Sequence, residues 1–352
     1  MPFGMIIFFA LALIGVAFCF RKKKDDESVL DKKATQAIKG ILCIFIMLHN
    51  VGLDCTANNK AAELICDHAG GVCLAIFFFL SGYGVLQAYK KNGVKSLKRL
   101  LLKNALKLYI IAVIINVIEY FAFFQGAFET KDLLLRIFNL DIFNNFARMN
   151  RHGWFIATII GMYIIFALVF YLSSLFKKKN STLVATIIVA SIAIGLRVLA
   201  KIMDNGGMYT NGLPLFGVGL LYSYFYEFVN KLCLKKAIYI PTICVCVIGF
   251  AISFIFFWGT VASYALAILI VIGANYFRVD NKITLYLGNI SLGVYLFTDT
   301  SMRLTENFMD NPYVYAPLNI MITITLGTIL FVTVFYTEKM IAYCVSKRQV
   351  KN

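Results

Sequence analysis

Apolar runs of about 20 residues recur along nearly the whole chain, and only short polar stretches separate them. A helix needs roughly 20 apolar residues to cross the hydrocarbon core of a bilayer. The strands of a membrane barrel would instead show segments of about 10 residues with alternating polarity. Of the 352 residues, 60% are hydrophobic and only 15% are charged, which is more apolar than a soluble domain. The sequence therefore predicts an all-α fold, a polytopic bundle of membrane-spanning helices.

We predict about eleven membrane-spanning segments from the positions of these runs. Their approximate limits are 4–20, 40–54, 71–89, 108–125, 153–176, 182–200, 213–230, 237–257, 260–277, 284–299 and 316–338. The first segment lacks the positively charged start of a signal peptide, because its basic residues follow the apolar run, and we interpret it as an uncleaved anchor. We divide the chain into an N-terminal anchor with a basic segment, residues 1–35, and one membrane domain, residues 36–345.

The distribution of basic residues predicts the orientation of the bundle. If the amino terminus lies outside, the cytoplasmic segments hold 26 of the 34 Lys and Arg residues. Cytoplasmic loops of membrane proteins carry such an excess. We therefore expect a multi-pass protein of the cell membrane, with its amino terminus outside and its carboxyl terminus in the cytoplasm. The net charge of +16 is then explained by the basic residues that set the orientation of the helices and face anionic membrane lipid. We expect no nucleic-acid partner.

Ionisable residues within the apolar runs are candidates for a functional site, because each costs at least ~2.5 kcal/mol in hydrocarbon. His49 ends the second span, and imidazole is a suitable base for removing a proton from a hydroxyl group. An interfacial histidine bonded to solvent or headgroups is the open alternative. The three histidines show no short ligand spacing, and we expect no metal site.

Glu119 lies inside the fourth span, with Asn116 about one turn before it. At ~1.5 Å per residue from Lys107, this carboxylate lies about 18 Å into the bilayer, towards the outer leaflet. A carboxylate at that depth needs a cation or a water-filled cavity. It either orients an imidazole, receives the proton of an acceptor hydroxyl, or forms a structural ion pair with Arg197 or Arg151.

Two further features lie on the predicted outer side. Asp299 and Arg303 are four residues apart at the end of the tenth span, where they either pair on a helix surface or line a common mouth. The loop 126–153 places apolar residues on one side of a helical pattern, namely Leu133, Leu134, Ile137 and Phe138. It predicts either a short helix at the membrane interface or an ordinary turn.

A dense basic block follows the third span directly. Its members are Lys90, Lys91, Lys95, Lys98, Arg99, Lys103 and Lys107. Lysine and arginine bind phosphate through charge, and arginine adds a planar fork of donors. The block either holds the phosphates of a soluble donor at the membrane surface or only fixes the topology.

The stretch AIFFFLSGYGV at 75–85 resembles the acyltransferase-3 family of integral membrane acyltransferases, in which an F-F-x-x-S-G-Y/F pattern marks an early core helix. Four other segments agree in the family's order. They are AIKGILCIFIMLHN at 37–50, GWFIATIIGMYIIF at 153–166, LPLFGVGLLYSYF at 213–225 and LYLGNISLGVYLF at 285–297. The resemblance covers roughly residues 36–340 and implies the family's ten-helix core, here preceded by one extra N-terminal helix.

The resemblance also implies an activity. It is the transfer of an acyl group, often acetyl, from a coenzyme A thioester to a hydroxyl of a cell-surface glycan or its lipid-linked precursor. Acyl-CoA is then the donor substrate, and the partners are membrane lipid and the glycan or lipid-linked sugar. The oligomeric state stays open.

The candidate site residues form two groups. The candidates for catalysis are His49, Lys39, Asn50 and Glu119. The candidates for binding the donor are Ser81 and Tyr83, which line its passage, and Arg99 and Lys103, near its phosphates.

One spacing departs from the family's pattern. In the family ten residues stand between the cation and the histidine. Counted from Lys39 this spacing reaches Asn50, and His49 is one position short. One residue is ~100° around a helix, so the two side chains point in different directions. Either the helix start is shifted and His49 still faces the cavity, or Asn50, which cannot take a proton, replaces the base. The second interpretation gives an alternative function, a catalytically inactive relative that binds or exports a glycan or lipid-linked sugar.

A second position departs too. The family often has a histidine after YLF, where this chain has Thr298.

Overall fold

The architecture comes from a computed structural model, which describes residues 14–16, 19–55, 60–140, 153–176, 180–202, 211–255, 259–309 and 311–349. The described residues form thirteen α-helices, one π-helical segment, one 3₁₀ turn and a two-stranded ribbon. The predicted all-α bundle is confirmed.

The elements follow one another with short connections. In chain order they are β1 (Arg21–Lys22), α1 (Lys32–Cys55), α2 (Lys60–Asn92), α3 (Lys95–Arg99), a π-helical segment (Leu100–Ala105), α4 (Leu106–Phe123), α5 (Thr130–Ile137), α6 (Gly153–Leu175), α7 (Ser181–Ile202), α8 (Leu213–Tyr224), α9 (Tyr226–Cys233), α10 (Lys236–Ile255), α11 (Gly259–Tyr276), β2 (Phe277–Arg278), α12 (Lys282–Thr305), a 3₁₀ turn (Glu306–Phe308) and α13 (Pro312–Gln349).

Eight of the described helices are long and apolar enough to cross a membrane. They are α1, α2, the continuous helix from α3 to α4, α6, α7, α10, α11 and α13. The predicted span 284–299 lies in α12, which is long enough but carries many polar residues. The first predicted span, 4–20, lies mostly outside the described residues, so the total of eleven stays a prediction.

The predicted span 213–230 differs from the structure, which divides it at Phe225 into α8 and α9. The charged residues Glu227 and Lys231 of α9 are exposed. Charged side chains are expensive in hydrocarbon, which is the physical reason why this apolar run does not continue as one straight span. Within the predicted outer loop, the described helix α5 favours the interfacial helix over the ordinary turn.

The helix α2 is central to the bundle and packs against α1, α8 and α11. Its crossing with α8 brings the two backbones together. A Cβ atom at Gly82 would overlap the carbonyl oxygen of Phe216, and one at Gly219 would overlap the carbonyl oxygen of Phe79. Small residues permit such approach in a membrane, where van der Waals packing drives helix association. Gly82 of the S-G-Y motif is therefore a packing residue of a helix crossing.

The helices α1 and α12 form the second close crossing and run in the same direction. A Cβ atom at Gly40 would overlap the carbonyl oxygen of Thr284, and one at Gly288 would overlap the carbonyl oxygen of Gln36. On its other side α12 packs against α13. These contacts fix the register of α1 against α12.

Arg278, in β2 directly after α11, bonds to the chain segment before α1. This side chain is only 2% exposed. Its Nη2 donates to both carboxylate oxygens of Asp31 at 2.8 Å and to Asp280 at 3.0 Å, while Nη1 donates to the carbonyl oxygen of Ser28 at 2.8 Å. Asp31 also accepts from the backbone N–H of Ala34 at 2.7 Å and so caps α1. A buried arginine with two carboxylates sets where α1 begins.

The ribbon β1–β2 pairs Arg21 with Arg278 and lies at this same end of the bundle. The end of the bundle that contains residues 21–31, 93–94 and 277–281 is called the basic end. The other end is called the opposite end. The segments 21–31 and 277–281 are thus adjacent in space.

Candidate functional site

His49 and Asn50, the two candidates at the end of the second predicted span, lie on different faces of α1. Asn50 is eleven residues from Lys39, so both lie within ~20° of each other around the helix, whereas His49 lies ~80° away. Asn50 is buried, with 6% exposure. The His49 ring is half-buried and packs on α2, where a Cβ atom at Gly70 would overlap it. The structure therefore places Asn50 on the inner face of α1 with Lys39 and places His49 at the α1–α2 contact.

The level of Asn50 along the bundle follows from the α1–α12 crossing. Gly40 meets Thr284 and Gly288, and the two helices run in parallel. Ten residues further along each helix, at ~1.5 Å per residue, Asn50 is level with about residues 294–298 of α12. The inner face of α1 thus ends beside the second half of α12.

This second half of α12 is buried although it is polar. Its buried polar residues are Thr298, Asp299, Thr300, Ser301 and Thr305. The Ser301 and Thr323 hydroxyls are 2.5 Å apart, and Asn319 donates to the Thr305 hydroxyl at 3.2 Å. Polar groups inside a membrane protein are costly and usually mark a functional region. We call this buried stretch, Thr298–Thr305, the polar segment.

Glu119 of α4 joins the polar segment. Its side chain is fully buried, and its Oε1 accepts a hydrogen bond from the Thr300 hydroxyl at 2.6 Å. One turn earlier, Asn116 donates to the carbonyl oxygens of Arg136 and Ile137 at 3.1 and 2.9 Å. The carboxylate is thereby held between α4 and α12, while Asn116 ties α4 to the end of α5.

Asp299 and Arg303 form the helical pair that their spacing allows. Arg303 Nη2 lies 3.5 Å from Asp299 Oδ2, and the guanidinium lies 4.6 Å from the centre of the Phe124 ring. Arg303 is thus an aromatic-packed cation at the opposite end of the bundle. Arg151, His152 and the side chain of His68 lie outside the described residues, so the predicted pairing of Glu119 with Arg151 is not described.

Lys39 and Ser81 lie deeper in the bundle. Because α2 runs antiparallel to α1 and meets His49 at Gly70, Ser81 is about 16 Å further towards the basic end, near the level of Lys39. Ser81 lies beside the hydroxyl of Tyr163 on α6. Lys39 is half-buried, and no hydrogen bond or ion pair between the described residues involves it.

Tyr83 has a structural contact at the basic end. Its hydroxyl donates to the carbonyl oxygen of Leu30 at 2.7 Å, immediately before α1. Its ring lies 5.5 Å from that of Tyr222 and 6.1 Å from that of Tyr226. Tyr83 therefore helps to set the start of α1, and its role in lining a donor passage stays a prediction.

The basic block divides into anchored and exposed residues. Lys90 donates to the carbonyl oxygens of Ser223 and Tyr224 at 2.6 and 3.1 Å, and so caps the end of α8. Lys107 pairs with Glu338 of α13 at 3.0 Å. Lys90 is itself exposed, and the other exposed members are Lys91, Lys95, Lys98, Arg99 and Lys103. Lys103 lies in the π-helical segment and Arg99 directly before it, and such segments are frequent at functional sites.

An apolar groove runs between α1 and α11. Its volume is about 580 Å³, and its walls carry almost no polar atoms. Phe45 and Ala69, which lie next to His49 and Gly70, line one part of it, and Arg278 lines another. The groove extends from the basic end towards His49 and is suited to an apolar chain.

The structure thus brings some predicted residues together and keeps others apart. Asn50 and Glu119 lie towards the opposite end beside the polar segment, and Arg99 and Lys103 lie at the basic end. Sequence reasoning missed Thr300 as the partner of Glu119. The run T-D-T-S at 298–301 inside an apolar segment was the signal that could have indicated it.

The chain matches the acyltransferase-3 family, described as an acyltransferase domain, over residues 33–337. The chain belongs to this family. The match covers nearly the whole chain and confirms the predicted resemblance. A family of membrane acyltransferases and eight apolar helices together make this a multi-pass membrane protein. No curated protein and no solved structure matches the chain significantly.

Proposed function

We propose that this acyltransferase-3 protein transfers an acyl group, acetyl above all, from a coenzyme A thioester to a hydroxyl of a cell-surface glycan or its lipid-linked precursor. The observation that carries the proposal is a buried carboxylate, Glu119, beside the polar segment in a chain of this family. Acyl transfer needs a base for the acceptor hydroxyl and a donor to the developing oxyanion. The residues around Glu119 offer both kinds of group.

On the donor side, the exposed Arg99 and Lys103 at the basic end bind the phosphates of coenzyme A. Lys103 and Glu119 belong to one continuous helix, and about 24 Å separate them along its axis. The pantetheine arm of coenzyme A is an extended chain that suits such a separation. Lys39 and Ser81 lie between the two ends, where the arm would pass.

On the acceptor side, the candidate residues differ in whether they can accept a proton, and they are Asn50, His49 and Glu119. An amide can donate to an oxyanion but cannot take a proton. Asn50, buried on the inner face of α1, is therefore the candidate oxyanion donor. His49 and Glu119 are the candidate bases.

The test uses the full chain reconstituted in phospholipid vesicles with radiolabelled acetyl-CoA and envelope glycan from the source organism. We expect label to enter the glycan fraction. Changing Arg99 and Lys103 to Gln should raise the KM for acetyl-CoA at least ~10-fold, since the loss of one charged contact worth about 1.5 kcal/mol already gives that factor. The matched control changes Lys91 and Lys95, exposed members of the same block, and should leave KM unchanged. The absence of label from the glycan would contradict the proposal.

A second candidate function is a relative that binds or exports a glycan or lipid-linked sugar without acylating it. Asn50 favours it, because it takes the inner position where the family has a histidine. In the same vesicles, saturable binding of the glycan without transfer of label would support this function.

A further inference from the structure

We infer that Glu119 takes the proton of the acceptor hydroxyl in this chain, and that Thr300 is the positioning residue that aims its carboxylate. This inference rests on the proposed acyl transfer and names the group that performs its first proton transfer. It places the base on α4 and the positioning residue on α12, and neither on α1.

The geometry of α1 directs the imidazole away from the inner face. Lys39 and Asn50 share that face, and His49 is ~80° from it. The His49 ring packs on the backbone of α2 at Gly70. An imidazole held in this way is next to the apolar groove, whose walls near it are Phe45 and Ala69. The polar segment of α12 lies on the other side of the helix.

The Glu119 carboxylate is aimed at the polar segment. It is fully buried, and its Oε1 lies 2.6 Å from the Thr300 hydroxyl. The distance lies within the range for a hydroxyl that donates to a carboxyl oxygen.

Thr300 differs from the neighbouring hydroxyls in where its bond goes. Thr298 donates to the carbonyl oxygen of Val294 in its own helix at 2.7 Å, and Ser301 bonds to that of Phe297 at 3.0 Å and to the Thr323 hydroxyl of α13. Thr300 instead donates across to α4. Thr300 is only 6% exposed, so the surrounding packing and the bond to Glu119 restrict the direction of its hydroxyl.

The reaction step is then as follows. The proton of the acceptor hydroxyl moves to a Glu119 oxygen while the acceptor oxygen bonds to the acyl carbon. The carbon–sulfur bond of the thioester breaks, and its electron pair stays on sulfur. The protonated Glu119 returns the proton to the departing thiolate. An ester and free coenzyme A result, and Glu119 is a carboxylate again.

The experiment measures acetyl transfer by the reconstituted full chain, with kcat and KM for acetyl-CoA determined separately. Glu119→Gln should lower kcat at least ~100-fold, the usual contribution of a general base. Thr300→Val should lower kcat about 10-fold with KM unchanged, and Thr300→Ser, which keeps the hydroxyl, should stay within about 2-fold of the wild type. Loss of packing alone would not separate Val from Ser in this way.

The matched control is Thr186→Val on α7. Thr186 is fully buried, and its hydroxyl bonds to the carbonyl oxygen of Thr182 in its own helix at 2.8 Å. This variant loses the same hydroxyl at the same burial and should keep wild-type kcat. If Glu119→Gln fails to fold, Glu119→Asp keeps the charge, withdraws the carboxylate by one methylene and should still lower kcat at least ~10-fold.

Three outcomes separate this inference from the proposed function. Transfer by the wild type with full kcat in Glu119→Gln, or with loss in His49→Ala alone, would overturn the role of Glu119 and leave acyl transfer standing. Equal loss in the Val and Ser variants of Thr300 would overturn its positioning role. Absence of transfer by the wild type would overturn the proposed function and this inference together.

Discussion

The α2–α8 crossing should not tolerate a single methyl group at Gly82. The added Cβ atom of Gly82→Ala would overlap the carbonyl oxygen of Phe216 and lie 3.0 Å from its carbonyl carbon and 3.3 Å from the Leu220 nitrogen. All three are backbone atoms, so no side-chain rotation relieves the clash and the helices must separate. Overpacking of this kind costs about 1–3 kcal/mol. At about 2 °C per kcal/mol for a chain of this size, Tm should fall by roughly 2–6 °C.

The assay follows thermal unfolding of the purified chain in detergent with a thiol-reactive fluorophore, which reports when buried cysteines such as Cys43 and Cys73 become accessible. Gly84→Ala is the control, because a Cβ atom there meets nothing within 4 Å. Alanine is the better helix former by up to ~1 kcal/mol, so this variant should keep or raise Tm. A wild-type Tm for Gly82→Ala, or equal losses in both variants, would refute the crossing as the cause.

Three other perturbations test the basic end. The hydrogen bond from Arg21 lowers the pKa of Glu27 from 4.5 to about 2. The ionised Glu27 therefore contributes stability above pH 4.5, and this contribution is lost as the pH falls towards 2. Acid unfolding of Glu27→Gln should lack this part of the pH dependence. Lys90→Met removes the donor to two carbonyl oxygens at the end of α8 and should cost about 0.5–1.5 kcal/mol in thermal unfolding, whereas Lys91→Met, which changes an exposed lysine next to it, should cost nothing measurable. Lys107→Met removes an exposed ion pair with α13 and should change stability by less than ~1 kcal/mol, and a larger loss would contradict the view that this contact is a surface pair.

The described helical core could be predicted from the sequence because each span is a local property. A bilayer requires about 20 consecutive apolar residues, and that requirement is satisfied or violated within one segment of chain. Nine of the ten predicted spans from residue 40 onward each lie mainly within one helix, and the span 213–230 covers two. The break between α8 and α9 at Phe225 was not predicted, because it depends on where two charged residues of α9 reach a polar surface.

The candidate site could be predicted only in part. The sequence by itself placed Lys39, His49 and Asn50 on one helix and placed Glu119 inside another, because spacing along a helix fixes angle and depth. Only the tertiary structure decided that Asn50 takes the inner face, since the faces of α1 have meaning only once α2 and α12 pack on them.

Contacts between residues far apart in the sequence are decided wholly by the tertiary structure. Thr300 meets Glu119 across 181 residues, and Arg278 meets Asp31 across 247. Hydrophobicity determines that a segment lies in the membrane, but lipid surrounds every apolar helix equally and does not choose its neighbours. The neighbours are chosen by shape, where glycines let backbones approach, and by the buried polar groups that then find each other.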